Sequence, residues 1–316
     1  MNSTSQAPTR ALLILNPKSR SGAEADLDDG IAALRNAGME LEVFYSGGPD
    51  ETENAIRQRR EQLDLVIVGG GDGTISSTAG TLYDCQLPLA ILPLGTANDL
   101  ARSLGIGNDL QHAFAVIAAN HRRAIDLGVV NDHYFFNAAN MGLGVKVTEE
   151  LGPEVKKRWG VFSYLKAFSA ALTRAQQFKA EIVVDGERHM ERSIQLAVGN
   201  GRYYGGGNIV ADSARINDAR LDLYSLRPQG VWELLTLAPL VRGGKHHLAQ
   251  RVFNISGQRI EITTRPGAMA IHADGEPVTQ TPATFTVIPD ALQVVVPRDS
   301  QELLSEEDKT HGTDPQ

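Results

Sequence analysis

The sequence holds a single cysteine, Cys85, in 316 residues. One thiol excludes an intrachain disulfide and a thiolate metal cluster, and an inert buried thiol is expected of it. No apolar run approaches the roughly 20 residues that span a bilayer, so no transmembrane segment is expected. Positive charge is short as well, with 30 Lys and Arg against 38 Asp and Glu and a net charge of -8. That balance argues against non-specific nucleic-acid binding, which rests on a positive footprint. It leaves room for a local basic patch on a membrane surface. Residues Met1–Arg10 lack the basic-then-apolar plan of a signal peptide, and cytoplasmic residence is the expectation. No internal repeat is present.

What is there reads as an ordinary globular chain, 42% hydrophobic and 22% charged. Its length suits one large domain or two medium ones. The run Ala11–Leu15 followed by Asn16 and Pro17 predicts a buried strand ending in a turn. Leu27, Ile31 and Leu34 fall at helical spacing over Ala23–Ala37, with Gly38 as a stop. A strand over Leu41–Tyr45, a helix over Asp50–Gln62, a strand over Leu65–Val68, a helix over Ile75–Tyr83 and a strand over Leu89–Leu92 follow. This alternation predicts an α/β domain with a parallel sheet, whose ligands bind beyond the carboxyl ends of the strands.

Past Asp126 the texture changes to short alternating runs: Tyr134–Ala138, Ala180–Asp185, Ser193–Val198, Ala219–Leu226, Arg251–Ile255, Arg259–Thr263, Ala283–Ile288 and Ala291–Val296. So many strands with few helices predict an antiparallel β-rich sandwich or barrel. The boundary is expected near 126–133, giving a nucleotide-binding part over 1–128 and a β-rich substrate part over 129–298. The active site is expected in the cleft between them. The acidic tail 299–316 is expected to be disordered.

Two segments carry the chemistry. In Gly69–Thr74 (GGGDGT) a strand ends, glycines let the backbone approach a ligand, and a helix begins. Backbone N–H groups there can cradle phosphate oxygens; a plain strand-to-helix turn is the bland alternative. In Pro93–Gly105 (PLGTANDLARSLG), Gly95 and Thr96 can add an N–H and a hydroxyl. Asn98 or Asp99 would cap the next helix.

Together these segments resemble the catalytic domain of the diacylglycerol kinase family, in particular the bacterial soluble lipid kinases of the YegS and DgkB type. Supporting stretches are Gly199–Gly207 (GNGRYYGGG), Ala214–Leu223 (ARINDARLDL) and His272–Val278 (HADGEPV). The resemblance runs from about Ala11 to Pro297. It implies a phosphofructokinase- and NAD-kinase-like nucleotide domain followed by a β-rich domain. It implies ATP contacts at Gly71, Asp72, Gly73, Thr74, Ile75, Ser76 and Ser77, with Thr96 as a further one. Ser46 stands where these kinases carry a threonine, and Ser76 where an asparagine is common.

A lipid hydroxyl is a poor nucleophile at neutral pH, so a carboxylate should take its proton as it attacks the γ-phosphate. By resemblance Glu276 holds that place, with Asp72 and Asp274 helping to hold Mg²⁺ and phosphate or to steer the base. A surface Asp-Gly hairpin turn is the competing reading of the same residues. One Mg²⁺ should travel with ATP. The resemblance also implies a metal site in the second domain, with the Asp218 carboxylate and the backbone carbonyls of Arg215 and Arg220 as ligands. Where the family has glycine this chain has Ala219, which would be strained at φ > 0.

A membrane face is suggested by Lys156, Lys157 and Arg158 ahead of Trp159, Phe162 and Tyr164, and by an amphipathic helix over 163–176; a solvated helix end that packs its apolar stripe on the core is the competing reading. Arg242, Lys245, His246 and His247 make a second basic cluster; the adjacent histidines point apart and suit a metal poorly. Peripheral, transient membrane association with a lipid substrate is expected. Oligomeric state and the identity of the lipid are left open. The rivals are an NAD kinase, which shares the Gly-Gly-Asp-Gly-Thr element, and a non-catalytic lipid- or nucleotide-binding regulator.

Overall fold

The computed structural model describes residues 8–17, 24–142, 177–201, 203–204, 208–209, 215–228 and 252–300. The chain divides into two compact units, 1–125 with 290–316, and 126–289. The segment 143–176, the cluster at Arg242–His247 and the acidic tail past Ser300 lie outside the described residues.

Unit 1 follows a strand–helix alternation. In order come β1 (Thr9–Leu15), α1 (Glu24–Asn36), β2 (Met39–Tyr45), α2 (Pro49–Arg59), β3 (Leu65–Gly70), α3 (Asp72–Ser76), α4 (Ala79–Cys85), β4 (Leu89–Pro93), α5 (Asp99–Ser103) and α6 (Leu110–Ala119). The sheet order is β2-β1-β3-β4, with every pair parallel. Every residue of β3 and β4 is buried, as central strands covered on both faces must be. Ile31 and Leu34 of α1 are buried, as their spacing predicts, and Gly38 takes φ +90 at the stop. Cys85 is buried.

Unit 2 is antiparallel. It contains β5 (Arg122–Val130, entering from unit 1), β6 (His133–Phe135), β7 (Ala138–Gly142), β8 (Phe178–Val184), β9 (Glu187–Ser193), β10 (Gln195–Gly199), β11 (Tyr203–Tyr204), β12 (Asn208–Ile209), β13 (Leu221–Leu226), β14 (Val252–Gly257), β15 (Arg259–Arg265), β16 (Ala270–Ala273), β17 (Glu276–Gln280) and β18 (Ala283–Val295). One layer has the order β14-β13-β10-β7-β16-β17, and β15 lies between β18 and β8 in the other, with β9 outermost. Their inner faces meet in one core. Ile182, Ile260, Ile262 and Phe285 come from one layer, and Met141, Leu196, Val198 and Leu223 from the other. Full burial of each such side chain contributes about 1.5–3 kcal/mol. The strict alternation of β15, buried at Ile260, Ile262 and Thr264 only, is what a sheet covered on one face requires.

Three expectations change in detail. The helix expected over Ile75–Tyr83 is broken into α3 and α4, because Ser77 Oγ and Thr78 Oγ1 donate to the carbonyls of Thr74 and Ile75 (2.9 and 2.7 Å) and turn the chain. The helix expected over Asp50–Gln62 ends at Arg59 and finishes as a single 3-10 turn. The strands expected over Ala283–Ile288 and Ala291–Val296 are one, β18, which passes through Pro289 and a left-handed Asp290 (φ +49). Its second half returns to unit 1, where Val294 pairs in parallel with Leu89 of β4.

Candidate active site

In unit 1 the carboxyl ends of β3 and β4 are pressed together backbone to backbone. Leu94 N–H donates to Gly70 O at 3.0 Å. A Cβ on Gly95 would stand 2.5 Å from Gly71 Cα, and one on Gly69 would stand 2.6 Å from Leu15 Cδ2. Only glycine allows this approach. Asn98, at φ +50, holds the second loop. Its Oδ1 accepts from Gly95 N–H (2.9 Å), and its Nδ2 donates to Gly95 O (3.2 Å) and Asn108 Oδ1 (2.9 Å). Asn98 sits at the N-cap position of α5 without capping it. That task falls to Asp72, whose Oδ1 accepts from Asp99 N–H at 2.7 Å. Asp72 therefore ties the first glycine loop to the second.

The first helical hydrogen bond of α3 runs from Ile75 N–H to Gly71 O (3.1 Å). The amides of Asp72, Gly73 and Thr74 thus precede any intrahelical partner. Gly73 and Thr96 are exposed. Ile75 is 1% exposed and offers a ligand only its backbone. Ser77 is turned inward by its bond to Thr74 O, and Ser76 lies between, half-buried. Thr74 Oγ1 accepts from Asn16 Nδ2 at 3.4 Å. Asn16 follows β1 at the same edge of the sheet, a placement its position after an apolar run could have signalled. Ser46 follows β2, but its hydroxyl is buried and engaged: it accepts from Thr52 Oγ1 (2.7 Å) and donates to Gly48 O (2.8 Å). Its part at this edge is to shape the loop into α2.

In unit 2, Asp274 (φ +48) and Gly275 (φ +94) form the tight turn between β16 and β17, the two-residue hairpin that positive φ at both positions defines. The Asp274 carboxylate accepts from three successive amides, Phe136 (2.8 Å), Asn137 (2.9 Å) and Ala138 (3.2 Å). It fastens the hairpin to the start of β7. Glu276 opens β17, exposed, opposite Ala273.

A second acidic turn lies at Arg215–Arg220. The Asp218 side chain is 7% exposed; its Oδ2 accepts from Arg215 N–H (3.2 Å) and Arg220 Nε (3.3 Å). Its Oδ1 is buried and has no hydrogen-bond partner among the described residues. Burial pushes the carboxyl up to about 7, with Asp222 and Asp126 adding to the rise and Arg220 opposing it. Ala219 takes φ +58, the left-handed conformation that disfavours alanine, and its N–H donates to Asp126 Oδ2 at 2.7 Å. Among the described residues no three His, Cys, Asp or Glu side chains converge on a metal position. An orphaned carboxylate oxygen on a group that feels the charge of two further acids nevertheless fits a cation held with the help of backbone carbonyls. Asp126 and Asn200, whose Nδ2 donates to the carbonyls of Asp126 and Phe136 (3.1 and 2.9 Å), support these turns. Asn200 lies within the Gly199–Gly207 stretch that supported the resemblance, whereas Asp126 stands in no such motif.

A model of the diacylglycerol kinase catalytic domain matches residues 10–130. A model of the YegS C-terminal NAD kinase beta sandwich-like domain matches residues 138–296. The chain is 34% identical over 295 residues to "Probable lipid kinase YegS-like" of Yersinia enterocolitica, covering 90% of this chain and 96% of that protein. It is 31% identical over 294 residues to a protein of the same name from Pseudomonas aeruginosa, covering 92% and 95%. Among solved structures, a diacylglycerol kinase of Bacillus anthracis str. Sterne superposes with a TM-score of 0.75 at 24% identity, over 92% of this chain and 97% of that one. This last likeness is one of fold.

Proposed function

The chain belongs to the YegS-like family of lipid kinases, with a diacylglycerol kinase catalytic domain in its first part, and on that premise we propose that it transfers the γ-phosphoryl group of ATP to a hydroxyl of a membrane lipid. Diacylglycerol, phosphatidylglycerol or a related lipid is the acceptor in this reading. The observation that carries it is the pair of glycine loops locked at Gly71 and Gly95 by Asp72 and Asn98. That arrangement leaves the amides of Asp72, Gly73 and Thr74 and the hydroxyl of Thr96 for phosphate oxygens. Rigid donors set beforehand are what phosphoryl transfer asks of a protein, since its catalysis is mostly positioning and charge stabilisation.

In unit 2, Glu276 has the exposed carboxylate suited to accept the proton of the lipid hydroxyl. Asp274, with three amides on its carboxylate, positions the turn that presents it. Bound Mg²⁺ supplies charge neutralisation at the phosphates, and Asp72 is the carboxylate of the glycine loops that could face it. Asp218, with the carbonyls of Arg215 and Arg220, would hold a separate cation that stabilises its turn. No helix among the described residues is long and apolar enough to cross a membrane, and the reading places the enzyme in the cytoplasm with transient docking on lipid.

The test is incubation of the purified protein with labelled ATP, Mg²⁺ and mixed lipid vesicles, followed by separation of the lipids. A labelled lipid that disappears in Glu276→Ala, with ATP binding retained, is the expected result. Normal turnover in Glu276→Ala removes that residue from its role. Labelled NAD in a parallel incubation would favour an NAD kinase, and ATP binding without any labelled product a regulator.

A further inference from the structure

The six-stranded layer of unit 2 has two faces of different chemistry. Ile271 and Ala273 of β16, Ala139 and Met141 of β7, and Leu196 and Val198 of β10 belong to the apolar core. Strand alternation turns the residues between them to the opposite face, where Ala138, Ala197 and Tyr224 cluster. On that face His272 stands directly across from Asn140, and Asn140 directly across from Ala197. Side chains paired in this way start about 5 Å apart. Ala138 and Gly142, two places away along β7, have almost no side chain. On this face the pair thus has small residues for neighbours along β7.

Among the described residues each of the two keeps one nitrogen without a protein partner. His272 is 9% exposed, and among the described residues its buried Nδ1 has no hydrogen-bond partner. A buried unpaired nitrogen is uncommon enough to ask for a ligand. Asn140 Oδ1 accepts from Gln195 Nε2 at 3.2 Å, which fixes the orientation of the amide. Among the described residues nothing accepts from Asn140 Nδ2. An imidazole nitrogen and an oriented amide donor on directly paired residues match a neutral hydroxyl, which can donate to one and accept from the other.

We propose that His272 and Asn140 form a binding pair for the glycerol hydroxyl and ester oxygens of the acceptor lipid. This rests on the kinase reading above. The chain runs from His272 of β16 through the Asp274–Gly275 turn to Glu276 of β17, and Asp274 is bonded to the amides of Phe136, Asn137 and Ala138 at the start of β7, the strand carrying Asn140. The pair is thereby held in fixed register with the residue assigned to take the acceptor's proton.

The test uses the full chain with labelled ATP and mixed micelles of dioleoylglycerol or dioleoylphosphatidylglycerol. In His272→Ala and Asn140→Ala the KM for the lipid should rise about tenfold, the expected loss for a hydrogen bond to substrate. The KM for ATP and the melting temperature should hold, and His272→Gln should recover most of the lipid KM. If both alanine variants fold and keep the wild-type lipid KM, the pair binds only water and the inference is overturned. Should His272→Ala fail to fold, Asn140→Ala decides. A wild-type enzyme that labels neither lipid, nor any lipid of the vesicle assay, overturns the kinase reading itself, a different result from an unchanged KM.

Discussion

Unit 2 contains two acidic turns built to the same local plan and finished differently. At Asp274 the left-handed residues are an aspartate and a glycine, and the carboxylate is covered by three amides. At Asp218 the left-handed residue is Ala219, the carboxylate keeps one oxygen without a partner, and its carboxyl is pushed up to about 7. The first turn is complete in the protein alone and serves as a clasp. The second carries backbone strain and a carboxylate oxygen that no described residue meets, costs that persist where a ligand or function offsets them. Two aspartates that look alike in sequence thus divide into a structural and a functional candidate by what surrounds their oxygens.

The largest effect should come from the clasp. Asp274→Ala strands the amides of Phe136, Asn137 and Ala138, and roughly 3 kcal/mol should be lost in urea denaturation. Asp274→Asn, which keeps an acceptor oxygen, should lose less. Equal losses in both would show that charge matters more than hydrogen bonding.

Asp218 should behave in the opposite way. Its folded value is raised above the ordinary 3.8, so the folded state holds the proton more tightly than the unfolded one. Stability from this group is full below pH 3.8 and is lost as pH rises towards 7. Without divalent cations, Asp218→Asn should be more stable than the wild type at pH 8 and equal to it at pH 3.5, as read by urea denaturation at the two pH values. Mg²⁺ should raise the melting temperature of the wild type at pH 8 but leave Asp218→Asn unmoved. An equal response in both would separate the turn from any cation.

Ala219→Gly should relieve the left-handed strain and stabilise by about 1 kcal/mol, part of it offset by the freer unfolded chain. A loss instead would mean the alanine is held there without strain. The smallest effect belongs to an exposed control. Asp64 is held below its ordinary range by its hydrogen bond from Arg10, both partners lying at the surface. Arg10→Ala should leave the denaturation midpoint nearly unmoved at pH 7. Even that small difference should vanish as pH falls through the lowered value of Asp64, where the wild type loses the pair too.

Much of the fold was legible because it is written in local patterns. The continuous apolar runs at Leu65–Val68 and Leu89–Leu92 announced buried parallel strands, and alternation at Arg259–Thr263 announced a half-buried one. β9 was not legible: Glu187–Ser193 is polar on both faces and pairs with β8 at the outer position of its layer, so no hydrophobic pattern marks it. The break between α3 and α4 depends on two hydroxyls bonding back to carbonyls, a choice that propensity does not make. In the candidate site, glycine-rich composition pointed to both loops. It could not show that Asp72 caps the helix after the second loop, because the partner amide lies 27 residues away.

By itself the sequence determined the class of the two units, the family, and the residue types available for phosphate and proton chemistry. Those follow from periodicity and from glycine, proline and acid spacing, which act over a few neighbours. Tertiary structure alone decided which carboxylates are spent and which are not. It gave Asp274 three amides from a segment far away in sequence and left an oxygen of Asp218 unmet beside Asp126 and Asp222. It also returned the end of β18 to the sheet of unit 1. Each of these rests on long-range hydrogen bonds and burial, whose partners no local stretch of chain can name.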